Sequence, residues 1–252
     1  MTFWEHLEEL RGTLIRAIVA ALVGVVVAFS AKDWLFWAIM APARPDFITY
    51  RLMGLQDFHL HLINTALTEQ FMVHLRMALA VGILLASPYI IYVLFCYVSP
   101  ALLAKERRYS LRITLAAYLM FLVGVAVNYF VVFPLTVRFL SAYQISPEVE
   151  PMLAISSYSD TLLGMSLVMG IAFETPVVSW ILALAGLLRH EWMQRYRRHA
   201  VVLILIVAAV ITPTGDIFTL LVVSLPIWLL YEASVLITML TERKYNAITH
   251  NA

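Results

Sequence analysis

Glu174 is a carboxylate in an unusual place. It sits in a run from Thr161 to Leu188 that carries no other charge and is long enough to cross a membrane. An ionised acid at a bilayer centre costs roughly 3 kcal/mol or more, so a chain rarely carries one without a use for it. Pro176, two residues on, removes a backbone N–H from the same segment. The carbonyl one turn earlier then needs another donor. Acid and helix break fall together.

A second set of acids lies beside the apolar runs. Glu5, Glu8 and Glu9 precede the first run, and Glu106 stands inside Lys105-Glu106-Arg107-Arg108. Two chemistries suit them. As surface ion pairs they offset nearby arginines, which also hold anionic lipid headgroups. Alternatively, carboxylates from two segments converge on a cationic ligand. Arginine is the natural one, because its planar guanidinium binds a carboxylate through two parallel hydrogen bonds.

Enzymatic patterns are weak. Ser166 lies deep in one run, and the only histidine in any run is His74, near the end of another, which makes a poor nucleophile–base pair. His59 and His61 read as two exposed histidines without identifiable co-ligands. There is no phosphate-binding glycine loop, and no pair of glycines four apart marks close helix packing. Cys96 is the only cysteine, which excludes a disulfide framework, and it reads as a small buried filler. No catalytic residue, metal site or cofactor is expected.

The elements that carry these residues are apolar runs. The chain has 252 residues, 62% hydrophobic and 13% charged, against roughly 25% charged in soluble domains. Such a chain is an all-α integral membrane protein. Six spans are expected, at about 14–34, 71–98, 113–137, 161–188, 200–212 and 217–240, the last two short. Together they form one polytopic membrane domain over residues 1–252. A cleavable leader is disfavoured by Glu5, Glu8 and Glu9, so the first run reads as an uncleaved span.

Lysine and arginine cluster at the N-terminus, between the second and third runs, between the fourth and fifth, and in the tail. The positive-inside rule therefore expects both termini in the cytoplasm. The segment from about 38 to 70 is expected to fold as an outer cap, and Ser141–Ser157 as a solvated turn. Thr212-Pro213-Thr214-Gly215-Asp216 is a tight turn, compatible with two short full spans or with a re-entrant hairpin. No internal repeat supports an inverted-repeat transporter.

Several segments resemble those of a known family. His6-Leu7-Glu8-Glu9-Leu10-Arg11 resembles the amino-terminal motif of TatC, the receptor subunit of the twin-arginine protein translocase. Ser99 to Arg108 is similar to that family's first cytoplasmic loop. Tyr129 to Pro134, Phe173-Glu174-Thr175-Pro176, and Asp216 with Pro226 and Glu232 also match in order and spacing.

The resemblance implies six spans in a concave, glove-like arrangement in the bacterial cytoplasmic (inner) membrane. It implies a receptor for the twin-arginine signal peptides of folded proteins, whose export draws on the proton gradient. Glu9 and Glu106 map onto the family's peptide-recognising carboxylates, with Arg11 as a conformational support. Glu8 replaces the usual apolar residue and adds a charge to the recognition surface. Glu174 and Pro176 belong to the membrane cavity. Thr212, Asp216, Thr219 and Glu232 belong to the surface that docks single-span TatA/TatB-type subunits, where Leu220 stands in place of a common glutamine. Membrane lipids and self-association in a larger complex complete the expected partners; nucleic acid is not one. The competing expectation is a proton- or ion-coupled small-solute transporter that uses Glu174 as its coupling site.

Overall fold

The computed structural model describes residues 3–54, 60–98, 110–143, 152–212 and 215–250. It is helical throughout, apart from two three-residue strands. The first long helix is α1 (Phe3–Ser30). Three short elements follow: α2 (Lys32–Met40), α3 (Ile48–Met53) and β1 (His61–Ile63). Then come α4 (Glu69–Val98), α5 (Ser110–Val127), a π-turn at Asn128–Val132, and α6 (Phe133–Ala142). Strand β2 (Met152–Ala154) leads into α7 (Ile155–Ala172) and α8 (Thr175–Leu184). The chain ends with α9 (His190–Arg195), α10 (Arg197–Ile211) and α11 (Ile217–His250).

Among the described residues, five segments are long and apolar enough to cross a membrane: Leu7–Ser30, Glu69–Leu94, Ile113–Ala142, Ile155–Leu184 and Ile217–Arg243. The expected fifth span is α10, whose 15 residues reach about 22 Å, short of a hydrocarbon core of roughly 30 Å. The expectation of two short final spans needs one correction. Helix α11 has 34 residues, because Glu242, Arg243 and Lys244 are good helix formers and carry the helix past the apolar run. Apolar content bounds the part that suits lipid, not the helix.

Contacts between named residues give the helix directions. Gly24 faces Gly82 and Phe29 stacks on His74, so α1 and α4 run antiparallel. Glu69 meets Ser156 and Arg76 meets Asp160, so α4 and α7 run parallel. Asn128 meets Leu162 while Gly124 meets Gly170, which makes α5 antiparallel to α7. Arg197 meets Glu232, so α10 and α11 are antiparallel. One side of the bundle therefore gathers the start of α1, the end of α4, the end of α8, α9 and the end of α11. The other side gathers α2, α3, β1, β2 and the α10–α11 turn.

Two crossings bring backbones together. A Cβ at Gly24 would collide with the Gly82 carbonyl, and one at Gly82 with the backbone of Val25. A Cβ at Gly124 would sit 2.5 Å from the Met169 oxygen and 2.9 Å from Gly170 Cα. Close packing here uses glycines opposed across two helices, so no spacing within one helix announces it.

The second side is a cap layer. Strands β1 and β2 pair in parallel, Leu62 against Leu153. The expected cap is thus a folded layer of short helices and a strand. Part of the expected solvated turn is also structured: Met152–Ala154 is strand and Ile155 already begins α7, because β1 supplies a partner that the local sequence does not contain. Residues 144–151 lie outside the described residues. Cys96 is exposed rather than a buried filler. An apolar run in a membrane helix presents apolar side chains to lipid and to protein alike, so composition does not mark the buried face.

Candidate functional site

Prolines interrupt the membrane helices, and three of the orphaned carbonyls are met by hydroxyls. Pro88 cannot bond the Leu84 carbonyl, and the Ser87 hydroxyl donates to it instead at 2.6 Å. Pro176 leaves the Ala172 carbonyl free, and the Thr175 hydroxyl takes it at 2.6 Å. Pro134 leaves the Phe130 carbonyl, and the donor is Thr49 of α3, 81 positions away in the chain. This is how a helix keeps its backbone satisfied in lipid while it bends.

Glu174 occupies the bend between α7 and α8. Helix α7 stops at Ala172 and α8 restarts at Thr175, with Glu174 at the N-cap position but making no side-chain cap. It lies ten residues before the end of α8 (184 − 174), about 15 Å along the axis. The side chain is half-buried, and its Oε1 is buried without a hydrogen-bond partner among the described residues. Pro176 and Ser179 are buried beside it on α8, and the Ser179 hydroxyl is committed to the Thr175 carbonyl at 2.8 Å.

A polar centre that sequence reasoning missed is Asn128. It is fully buried at the start of the π-turn, a helix irregularity found often at functional sites. Its Nδ2 donates to Ser166 Oγ at 2.8 Å, while Oδ1 has no partner among the described residues. Ser166 thus accepts from an amide and has no histidine base. His74 is instead buried between Phe29 and Phe36, with ring centroids at 4.2 and 5.8 Å. An asparagine in an apolar run four residues after Gly124 was a readable signal.

The N-terminal acids separate by face. The buried positions of α1 include Thr13, Ala17 and Ala28, and Glu9 lies one turn before Thr13 on that stripe. Glu9 is half-buried, and its Oε2 is buried without a partner among the described residues. Glu8 is exposed on another face. Arg11 is exposed as well, and a residue two positions away on a helix does not face its neighbour. The fold therefore does not bring Arg11 to Glu9. Glu106 lies in residues 99–109, outside the described set.

The four residues expected in partner docking do not form one patch. Thr212 and Thr219 are buried at the α10–α11 turn, and Asp216 caps α11 by accepting the Thr219 N–H at 2.7 Å. The Thr219 hydroxyl is buried without a partner among the described residues. Glu232 sits sixteen residues beyond Asp216, about 24 Å along α11, and binds Arg197 at 2.7 Å.

The cap layer holds further polar residues that were not anticipated. The Glu69 carboxylate accepts from the backbone N–H groups of Thr65, Ala66 and Ser156 and from the hydroxyls of Thr65 and Ser156. Arg76 pairs with Asp160 one step further in. Tyr50 is fully buried and donates toward the Pro42 and Pro134 carbonyls, at 2.9 and 3.2 Å. Burial pushes its phenol well above the ordinary value of 10.0, against a smaller opposite pull from Arg138, so it remains a donor. No group of three or more metal-ligating side chains gathers among the described residues.

Comparison with known proteins agrees over almost the whole chain. The family described as "TatC: Sec-independent protein translocase protein (TatC)" matches residues 5–226. The TatC of Blattabacterium is 33% identical over 97% of both chains, and that of Koribacter versatilis 36% identical over 97% of this chain and 87% of its own. A solved structure, described as the crystal structure of the twin-arginine translocase receptor TatC, superposes with a TM-score of 0.78. It is 32% identical and covers 94% of this chain and 99% of its own.

Proposed function

The chain belongs to the TatC family of Sec-independent protein translocase proteins, and from that membership we infer that it is the membrane receptor of a twin-arginine translocation system. It binds the twin-arginine signal peptides of folded proteins for export driven by the proton gradient. One polytopic membrane domain, residues 1–252, carries this function. The distribution of arginine and lysine supports an orientation with the start of α1, residues 99–109, α9 and the end of α11 in the cytoplasm. The membrane is then the bacterial cytoplasmic one.

The observation that carries the reading is the Glu9 carboxylate. It stands at the end of the stripe by which α1 packs on α4, half-buried, with one oxygen lacking any partner among the described residues. A half-buried unsatisfied carboxylate costs stability unless a ligand completes it. Glu106, on the connection that follows α4, is the second carboxylate on that side. Each held guanidinium contributes about 1.5–3 kcal/mol. Lysine keeps the charge but loses the two-pronged geometry, which accounts for selection of an arginine pair. Glu8, exposed, strengthens the local field without making the grip, and Arg11 keeps α1 in place at the headgroups.

Glu174 and Pro176 form the polar floor of the membrane cavity, met by water or by a partner's helix. TatA/TatB-type single-span subunits dock at the α10–α11 turn around Thr212, Asp216 and Thr219, where Leu220 replaces the common glutamine. The Glu232–Arg197 pair braces α11 against α10 below that surface. A solute transporter built on Glu174 is the weaker reading, because the relatives matched over nearly the full chain carry the translocase name. Crosslinking of arginine-pair and lysine-pair peptides to wild type and to Glu9→Ala/Glu106→Ala tests the receptor reading. Strong capture should occur only for the arginine pair on wild type; equal capture in all four combinations sinks it.

A further inference from the structure

Arg16 is the single charged residue between Gly12 and Ala31, inside a segment suited to the membrane. Its Nε donates to the Gly12 carbonyl at 3.2 Å, which folds the exposed side chain back toward the start of α1. That bond uses one of five N–H donors. No other acceptor among the described residues meets the guanidinium. An arginine at this depth is costly without an anionic partner.

The same residue stands at one end of a groove of about 580 Å³ between α1 and α4, whose lining includes Val19, Val23, Val27, Leu85 and Tyr89. Two features shape it. The Gly24–Gly82 crossing brings the two backbones into contact, so its floor there carries no side chain. The walls are apolar along their length, with the charge at one end only. From Arg16 to Val27 the groove runs about 16 Å, close to one leaflet of a bilayer. Spread over that length, its volume gives a cross-section of about 36 Å². That is room for an acyl chain lying along the groove, and the guanidinium at one end matches an anionic headgroup.

We propose that this groove seats an acyl chain of an anionic phospholipid whose phosphate is held by Arg16. The site goes beyond the receptor reading, since it lies about 10 Å further along α1 than Glu9, on the same side of the helix, and takes a lipid rather than a peptide. The lipid belongs to the leaflet on the side of the α1 N-terminus. Its phosphate supplies the charge-assisted bonds that the free guanidinium donors lack.

The full chain, purified in detergent, is titrated with phosphatidylglycerol and with phosphatidylcholine of the same chain length, and bound lipid is counted by native mass spectrometry. Wild type should prefer phosphatidylglycerol about tenfold, the scale of one charge-assisted contact. Arg16→Gln should lose that preference, and Ala20→Phe, which fills the groove, should reduce retention of both lipids. The proposal falls if wild type holds both lipids equally or if Arg16→Gln keeps the preference. It also falls if glycerophosphoglycerol without acyl chains competes as well as the whole lipid. A photo-crosslinker at Val23 that captures a single-span subunit in membranes and not lipid overturns it too.

Discussion

The surroundings of Glu69 and Tyr50 in the cap layer and those of Glu9 and Glu174 treat polar groups in contrasting ways. In the cap layer Glu69 satisfies five donors, and Thr49 and Tyr50 close the backbone at Pro134. Tyr129 and Tyr158 donate to the Ala38 and Ile39 carbonyls. Elsewhere, Glu9 and Glu174 each keep a buried oxygen with no partner among the described residues. Saturated polar groups hold a fold together, whereas unsatisfied ones in a folded protein call for an explanation, and a missing ligand is one. The contrast separates carboxylates that build the receptor from those proposed to use it.

This division can be attacked experimentally. The largest effect should come from Gly24→Leu, which forces α1 off α4 and moves the helix that carries Glu9. Overpacking at a backbone contact costs about 3 kcal/mol or more, and both thermal stability in detergent and peptide capture should collapse. If stability falls while capture persists, the proposed site does not depend on the seating of α1. Next, Glu9→Ala should weaken arginine-pair peptide binding by about tenfold to a hundredfold with thermal stability unchanged or raised, because a buried unpaired charge is removed. Tyr50→Phe should do the reverse. It removes the one hydroxyl hydrogen shared between the Pro42 and Pro134 carbonyls, lowers stability by about 1–3 kcal/mol in chemical or thermal denaturation, and leaves peptide affinity alone. A smaller stability loss than that of Tyr50→Phe belongs to Thr175→Val, at about 1 kcal/mol, from the Ala172 carbonyl it exposes. Glu174→Gln should cost no stability yet impair transport in an export assay; normal transport would show that no ionisable group is needed at the bend.

The residues themselves made much of this legible. The apolar runs located every long helix, and the need for a donor one turn before Pro176 was readable and is met by Thr175. The His6–Arg11 motif and the spacing of Phe173–Pro176 led to the family. What escaped has a common cause. Thr49 closes a gap 81 residues away, Arg76 meets Asp160 across two helices, and Gly24 meets Gly82 on another helix. Each partner is chosen by packing, which leaves no trace in local periodicity. The face of Glu9 likewise emerged only from the buried stripe of Thr13, Ala17 and Ala28. Arg11, two residues on, was predictably on the other side.

By itself the sequence determined the membrane class, the rough limits of the long apolar helices and the family. These follow from composition, period and motif, which are properties of the chain in one dimension. The tertiary structure decided which polar groups are spent. It paired Glu232 with Arg197 and put Asp216 to work as a cap, and among the described residues it left Glu9, Glu174 and Thr219 with unmatched buried oxygens. A hydrogen bond is satisfied within about 3 Å and a chain neighbour rarely supplies it, so only the folded arrangement can say which groups remain for a ligand.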